Sequence, residues 1–335
     1  MSGERRARRA TGADVASLAG VSRATVSYVL NDTPHQTIAE DTRRRVLEAA
    51  AALQYRPSPA ARTLRTGRSD VVLGLVPEDA TSPVYQQCFT ELGRELAAAG
   101  LVLVVRALAA DMGGLAEACR VLAPSVVVSL GELDELDLEV LAGAGVQLAV
   151  SIAHGPPLRH GHLVLTDDVL GQAQADHLLE RGHASVAFAL PAGAGPIRSG
   201  RVEAFVTRFE ERGHPRPVVG TVPADPVPAA TSLREWRALR PDLSAVAAWD
   251  DDVAAWVLRG SVEVGLVVPA DLAILGAHNL PIGRRTLPQL TTVVLDLRAR
   301  MAEVAAAVVA SLAGAPTELA PLDRSAVTVV VRGST

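Results

Sequence analysis

Between Thr11 and Leu30 the sequence sets two short amphipathic helices one glycine turn apart, and this pairing constrains the start of the fold more tightly than anything after it. Thr11-Gly12-Ala13-Asp14 has the spacing of a capping box, in which hydroxyl and carboxylate satisfy free amides at a helix start. Val15, Leu18 and Ala19 then predict one apolar face. Gly20 supplies a tight turn, Ser22 suits the N-cap of a second helix, and Val26, Val29 and Leu30 recur at helical spacing to meet the first. Two short helices joined by a Gly turn form a helix-turn-helix unit. After the loop from Asn31 to Gln36, Thr37-Ile38-Ala39-Glu40 reads as a second capping box. It opens a third helix whose Val46, Leu47, Ala50 and Leu53 close a three-helix core. The other edge of the second helix carries Ser22, Arg23, Thr25 and Tyr28, groups suited to phosphates and base edges in a DNA groove.

Charge agrees with that reading once it is split along the chain. Residues 1–68 hold 12 arginines against 6 acids, whereas the remaining residues hold 20 against 31, so a head of +6 precedes a body of −11. A basic end that meets phosphate and an acidic remainder that avoids it fit a nucleic-acid-binding protein. The basic run Arg5-Arg6-Ala7-Arg8-Arg9 is followed by a polar helix pattern, not by the apolar core of a signal peptide. No apolar run reaches the roughly 18 residues of a membrane span, so the sequence predicts a cytoplasmic protein without a membrane partner. Cys88 and Cys119 lie in apolar surroundings without metal-ligand spacing and read as reduced thiols.

The order Asp-Val-Ala-x-Leu-Ala-Gly-Val-Ser-x-x-Thr-Val-Ser-x-Val-Leu-Asn at Asp14 to Asn31 resembles the LacI/GalR family of transcription regulators. Thr42-Arg43, Tyr55-Arg56-Pro57 and Ala61-Arg62-x-Leu64-Arg65 continue the match. The loop between the second and third helices looks about two residues longer than the commonest family form. The resemblance implies that Ser22 and Thr25 anchor on phosphates, the helix N-terminus helping, and that Arg23, Ala24 and Tyr28 reach base edges. Thr11, Ser27, Asn31 and Arg62 complete the DNA-binding set. Ser58-Pro59 and Gly67 punctuate about two helical turns; by resemblance this is a hinge helix whose Leu64 wedges into the minor groove of a bound operator. A plain linker with Leu64 packed on the body is the alternative. The expected domains are a helix-turn-helix domain over 1–57, a hinge over 58–68 and an effector-binding and dimerisation domain over 69–335.

From Val71 the pattern changes to short apolar strands alternating with helices. One series has strands at Val71–Val76, Leu101–Val105, Ser125–Leu130 and Gln147–Ser151, with helices at Val84–Ala99 and Gly114–Leu122. A second has strands at Ser185–Leu190, Val218–Val222, Ala245–Trp249 and Ala273–Ala277, with helices at Gly200–Gly213, Ala229–Leu239 and Val253–Val264. Helix Leu297–Ala313 and strand Val327–Arg332 cross back. The fold class is therefore an all-α head plus an α/β body of two doubly wound parallel-sheet lobes, with a ligand cleft between them. That body resembles the periplasmic sugar-binding fold that regulators of this family carry.

By resemblance, Arg201 holds an effector through its guanidinium fork, Asp251 in the triplet Asp250–Asp252 is a second ligand, Tyr85 lines the pocket and Asp168 lies beside it. Capping helices and sealing the lobe interface is the alternative role for this set. His278 departs from the family, which usually has Gly-aromatic-Asp where this chain has Gly276-Ala277-His278. An acidic acceptor is thereby lost, which weakens the case for a neutral sugar. His154, His160 and His162 in a Pro/Gly-rich loop read as surface imidazoles, and Gly193-Ala194-Gly195 as a loop. No metal, cofactor or catalytic set is expected. The reading is a homodimeric, ligand-responsive repressor that binds a pseudo-palindromic operator and takes a sugar or related metabolite as effector. A sugar- or nucleotide-processing Rossmann-like enzyme with a DNA-binding head is the alternative.

Overall fold

The computed structural model describes residues 10–30, 38–55, 69–77, 82–108, 112–152, 157–192 and 200–335. The chain divides into two compact units, Met1–Asp70 and Val71–Thr335. The first unit is helical: α1 (Gly12–Ala19), α2 (Arg23–Leu30) and α3 (Glu40–Ala52). Thr11 and Asp14 form the reciprocal capping box at the start of α1, and Gly20 ends that helix at φ 67° with its N–H on the Ala16 carbonyl. A left-handed residue is needed there, and glycine adopts it without a Cβ clash.

The core of the head differs in two places from the expected one. Val15, Ala16, Ala19, Val26, Val29, Val46, Ala49 and Ala50 are buried, whereas Leu18 and Leu47 are 57% and 50% exposed. The inner stripes are made of valines and alanines, and the two leucines fall on outer faces. No side chain caps α3 at Ala39; the expected cap at Thr37 lies outside the described residues. So do Asn31, the loop after it, Arg62, Leu64 and the predicted hinge.

The second unit runs β1 (Val71–Pro77), α4 (Pro83–Ala98), β2 (Val102–Leu108), α5 (Met112–Leu122), β3 (Val126–Ser129), α6 (Glu135–Gly143), β4 (Leu148–Ile152) and β5 (His162–Leu165). It continues α7 (Asp168–Glu180), β6 (Val186–Pro191), α8 (Gly200–Glu211), β7 (Val218–Val222), α9 (Pro226–Leu239), β8 (Ala245–Ala248), α10 (Asp251–Glu263), β9 (Ala273–Ala277), β10 (Thr291–Leu295), α11 (Leu297–Leu312) and β11 (Val327–Val330). Two sheets result, ordered β2-β1-β3-β4-β5 and β11-β10-β9-β8-β6-β7. Both are parallel except for β10 and β11, which pair antiparallel.

Both faces of each sheet are covered, so the strands are apolar on alternate residues to either side. Val72, Val126 and Val128 face one cluster and Leu73, Leu75 and Val127 another. Val186 and Phe188 in β6 likewise oppose Ala187 and Ala189. The first of these clusters is continuous through both lobes. Helix α11 leaves the second sheet and packs on α4 of the first lobe, which is the crossing back that the sequence predicts.

Candidate functional site

On the head, α2 is built with one inward and one outward edge. The Ser22 hydroxyl accepts the Thr25 N–H at 3.0 Å and lies 2.9 Å from the Thr25 hydroxyl, so the predicted N-cap forms. Val26 and Val29 are buried, while Ser22, Arg23, Ala24 and Tyr28 are exposed and Thr25 and Ser27 half-buried. Arg45 donates to the Ala19 carbonyl at 3.2 Å, so α3 closes off the C-terminal end of α1. The result is a capped helix N-terminus beside a cationic, hydroxyl-bearing edge, a geometry that suits phosphate anchoring and groove contact. Thr11 instead spends its hydroxyl on Asp14, at 2.7 Å.

The body holds a cavity of about 100 Å³ between its lobes, where Tyr85, Asp167, Arg201, Trp249, His278 and Arg300 meet apolar walls. Arg201 is its most constrained member. Gly171 of α7 lets α8 approach so closely that a Cβ there would lie 2.0 Å from the Arg201 carbonyl oxygen. The guanidinium is fully buried. Its Nε and Nη2 donate to Gln174 Oε1 at 3.2 and 3.0 Å, and its Nη1 lies 3.3 Å from His278 Nε2. It also stacks 4.9 Å from the Trp249 ring. Burial lowers its pKa to about 10 against the opposing pull of Asp167, Asp250 and Asp251, so it stays cationic at neutral pH.

His278 sits at φ 77° and Asn279 at φ 53°, two successive left-handed residues that swing the chain out of β9. The His278 N–H donates to the Val293 carbonyl at 2.7 Å, and Asn279 Oδ1 accepts from Arg332 at 2.6 Å. Burial and the neighbouring Arg201 hold the imidazole pKa down at about 3. His278 is therefore neutral, and since a guanidinium can only donate, Nε2 accepts and Nδ1 carries the proton.

Of the five effector candidates, Tyr85, Arg201 and His278 line this cavity, and Asp168 and Asp251 do not. Asp167, the residue before α7, takes the lining place, and Asp168 opens the helix instead. Asp251 is fully buried beneath the turn after β9, where it accepts the Leu280 N–H at 2.6 Å; burial raises its pKa to about 7. Its neighbour Asp250 caps α10 through the Val253 N–H at 2.9 Å. Asp251 is closely packed there, outside the lining of this cavity: a Cβ on Gly276 would lie 1.9 Å from Asp251 Oδ1.

Two residues outside the sequence-derived set belong to this arrangement: Arg300 lines the cavity and Gln174 holds the Arg201 guanidinium from behind it. Gln174 also donates to the Ala248 carbonyl at 2.9 Å, tying α7 to β8. Arg300 shares the inward stripe of α11 with Leu297, Met301 and Val304; an arginine at a core position of an otherwise apolar stripe was the available signal. His162 is buried, with its Nε2 2.8 Å from Ser151 Oγ, so it belongs to the β4–β5 packing and not to the surface; His160 is exposed. His154 and Gly193 to Gly195 lie outside the described residues. Among the described residues no group of three or more His, Cys, Asp or Glu side chains could hold a metal ion, and no helix is long and apolar enough to cross a membrane. Both cysteines are free and buried.

A helix-turn-helix head in one chain with a two-lobed, cleft-bearing body defines a DNA-binding transcriptional regulator. Residues 12–58 match the family described as bacterial regulatory proteins, lacI family, and residues 175–335 match the periplasmic binding protein-like domain. The chain is 27% identical over 307 residues to the HTH-type transcriptional regulator DegA of Bacillus subtilis (strain 168), covering 87% of this chain and 88% of that one. Among solved structures it superposes on a transcriptional regulator CelR–cellobiose complex with TM-score 0.66 and 25% identity, over 98% of this chain and 100% of that one. It superposes on a lac repressor dimer bound to operator with TM-score 0.75 and 20% identity, over 98% and 99%. The chain thus carries a lacI-family DNA-binding domain and a periplasmic binding protein-like domain, and it is similar to LacI/GalR-family transcriptional regulators over most of its length.

Proposed function

We propose that this regulator is a homodimeric repressor that acts in the cytoplasm on a pseudo-palindromic operator, with α2 in the major groove. Ser22 and Thr25 fix its register on phosphates, Arg23, Ala24 and Tyr28 read base edges, and Thr11, Ser27, Asn31 and Arg62 add contacts. Leu64 from a hinge over 58–68 enters the minor groove. A small-molecule effector binds between the lobes around Arg201, Tyr85 and His278 and changes operator affinity by favouring one of two arrangements of the dimer. The protein is a binding switch with no catalytic role.

One observation carries the reading: the exposed Arg23, Ala24 and Tyr28 stand on a capped helix whose opposite edge, Val26 and Val29, is buried. The lac repressor dimer bound to operator supports the dimeric arrangement, and the CelR–cellobiose complex supports a ligand in the cleft. Exposed Val102 and Val105 on the edge strand β2, beside an apolar groove along α4, suit self-association.

The test is selection of duplexes from a random library by the full-length chain, repeated with Arg23→Ala and Tyr28→Ala. The expected outcome is a two-fold symmetric site, with preference relaxed by about 1–3 kcal/mol at the base pairs each variant no longer reads. Identical selected sites for all three proteins would remove the base-reading role.

A further inference from the structure

Three of the buried polar atoms that have no hydrogen-bond partner among the described residues belong to side chains lining one cavity: Ser82 Oγ, His278 Nδ1 and Arg300 Nε. Buried polar atoms are nearly always paired, so three orphans around one small space call for a missing partner. They come from separate parts of the body: Ser82 precedes α4 in the first lobe without capping it, His278 follows β9 in the second, and Arg300 sits on the crossing helix α11. Their chemistry is one-sided. Arg300 Nε can only donate, and His278 Nδ1 carries the proton because Nε2 faces the Arg201 guanidinium. The Ser82 hydroxyl can supply a further donor.

Charge points the same way. Arg201 is fully buried and its hydrogen-bond acceptors among the described residues are neutral: Gln174 Oε1, the Ala248 carbonyl and His278 Nε2; Asp167, the carboxylate in the same wall, offsets part of its charge, although burial raises the Asp167 pKa. Arg300 is 4% exposed and uses Nη1 for Glu303 and the Ala320 carbonyl, leaving Nε over. Two buried guanidinium groups against the single lining carboxylate of Asp167 leave room at this cavity for an anion with oxygen acceptors. Leu130, Leu170, Leu295 and Met301 make up much of the remaining wall, which suits a hydrocarbon body. At about 100 Å³ the space is smaller than the roughly 150 Å³ cavity that takes benzene, and well below the ~300 Å³ at which drug-sized ligand sites begin.

Resting on the reading of the cleft as the effector site, we propose that its ligand is a compact organic acid, its carboxylate held by Arg300, His278 and Ser82 and its hydrocarbon body against the leucine wall. Arg300 and Ser82 are then ligand-binding residues, and the effector is not a neutral sugar.

The test is calorimetric titration of the full-length protein with butyrate, isovalerate and benzoate, against butyramide, isovaleramide and benzamide as neutral shape matches. D-glucose, cellobiose and inorganic phosphate complete the panel. At least one acid should bind at least tenfold more tightly than its amide. Arg300→Met should weaken that acid by on the order of ten- to a hundredfold, the worth of a charge-assisted hydrogen bond. Ser82→Ala, which removes a hydroxyl that makes no hydrogen bond to any described residue, provides a second reading should Arg300→Met fold poorly, with a loss of roughly threefold or more from one hydroxyl bond. Equal binding of acid and amide, binding of phosphate but no acid, or no binding by any acid overturns the proposal. Binding of glucose or cellobiose that Arg300→Met leaves unchanged overturns it too, while leaving the cleft as effector site. An acid that binds Leu130→Trp, whose indole fills the cavity, as well as it binds the wild type overturns the cleft reading itself.

Discussion

Arg201 and Asp251 show how differently two buried charged residues serve this body. Arg201 lines a cavity and is clasped by Gln174; Asp251 is sealed under the turn after β9 and accepts the Leu280 N–H. Burial raises the Asp251 pKa to about 7, against roughly 4 in an unfolded chain. The folded body therefore binds the extra proton between those values: the contribution of Asp251 to stability is full below about pH 4 and declines as pH rises to 7. His278 and His177, held at about 3 and about 4 by burial, act in the opposite sense. They leave stability full above about pH 6.5 and remove it on acidification. Asp251→Asn should therefore lose less stability than the wild type between pH 4 and 7 in urea unfolding of the body; an unchanged pH dependence would count against a buried, titrating Asp251. Gly171→Ala should destabilise the body by about 1–3 kcal/mol or more in the same assay, since the added methyl meets the Arg201 carbonyl and α7 and α8 must part.

Among the elements, α2 depends on one side chain for its start. Ser22→Ala removes the acceptor of the Thr25 N–H, a loss of about 1 kcal/mol. Hydrogen exchange on the full-length protein should show the Thr25 amide opening about fivefold more readily, with α10 amides unchanged. Elements of this kind were legible because local chemistry marks their ends: Thr11 with Asp14, Gly20 and Ser22 specify where α1 stops and α2 begins. Strands Val218–Val222 and Ala273–Ala277 were equally plain, being apolar runs bounded by turns. What stayed hidden has physical causes. Helix α7 is buried nearly all round and carries Gln174 and His177 on its inner surface, so no apolar stripe announces it. Strand β10 begins with two fully buried threonines, and β5 has four residues. The site suffered accordingly. Arg201 could be found from its motif, but Asp167 and Gln174 depend on the placement of α7. The shift from Asp168 to Asp167 is one position at a helix start that nothing in the sequence marks.

For the whole molecule, a +6 head and a −11 body in one chain make DNA affinity a property of one end, with the other end free to hold a ligand. Binding should be steeply salt-dependent, log K falling by about 0.9 per phosphate contacted for each unit of log salt. Thr25→Val should lower that slope without altering the preferred sequence, because a phosphate contact positions and does not specify. A change of preferred sequence would instead place Thr25 among the base readers. As proposed, the function of this chain rests on recognition of a particular DNA sequence through α2. It is tested most directly by fluorescence anisotropy of the full-length protein on its selected palindromic duplex and on a scrambled duplex of equal length at one salt concentration. Binding to the palindrome should be at least roughly a thousandfold tighter, and lost in large part with Arg23→Ala; equal affinity for the two duplexes would contradict sequence recognition through α2.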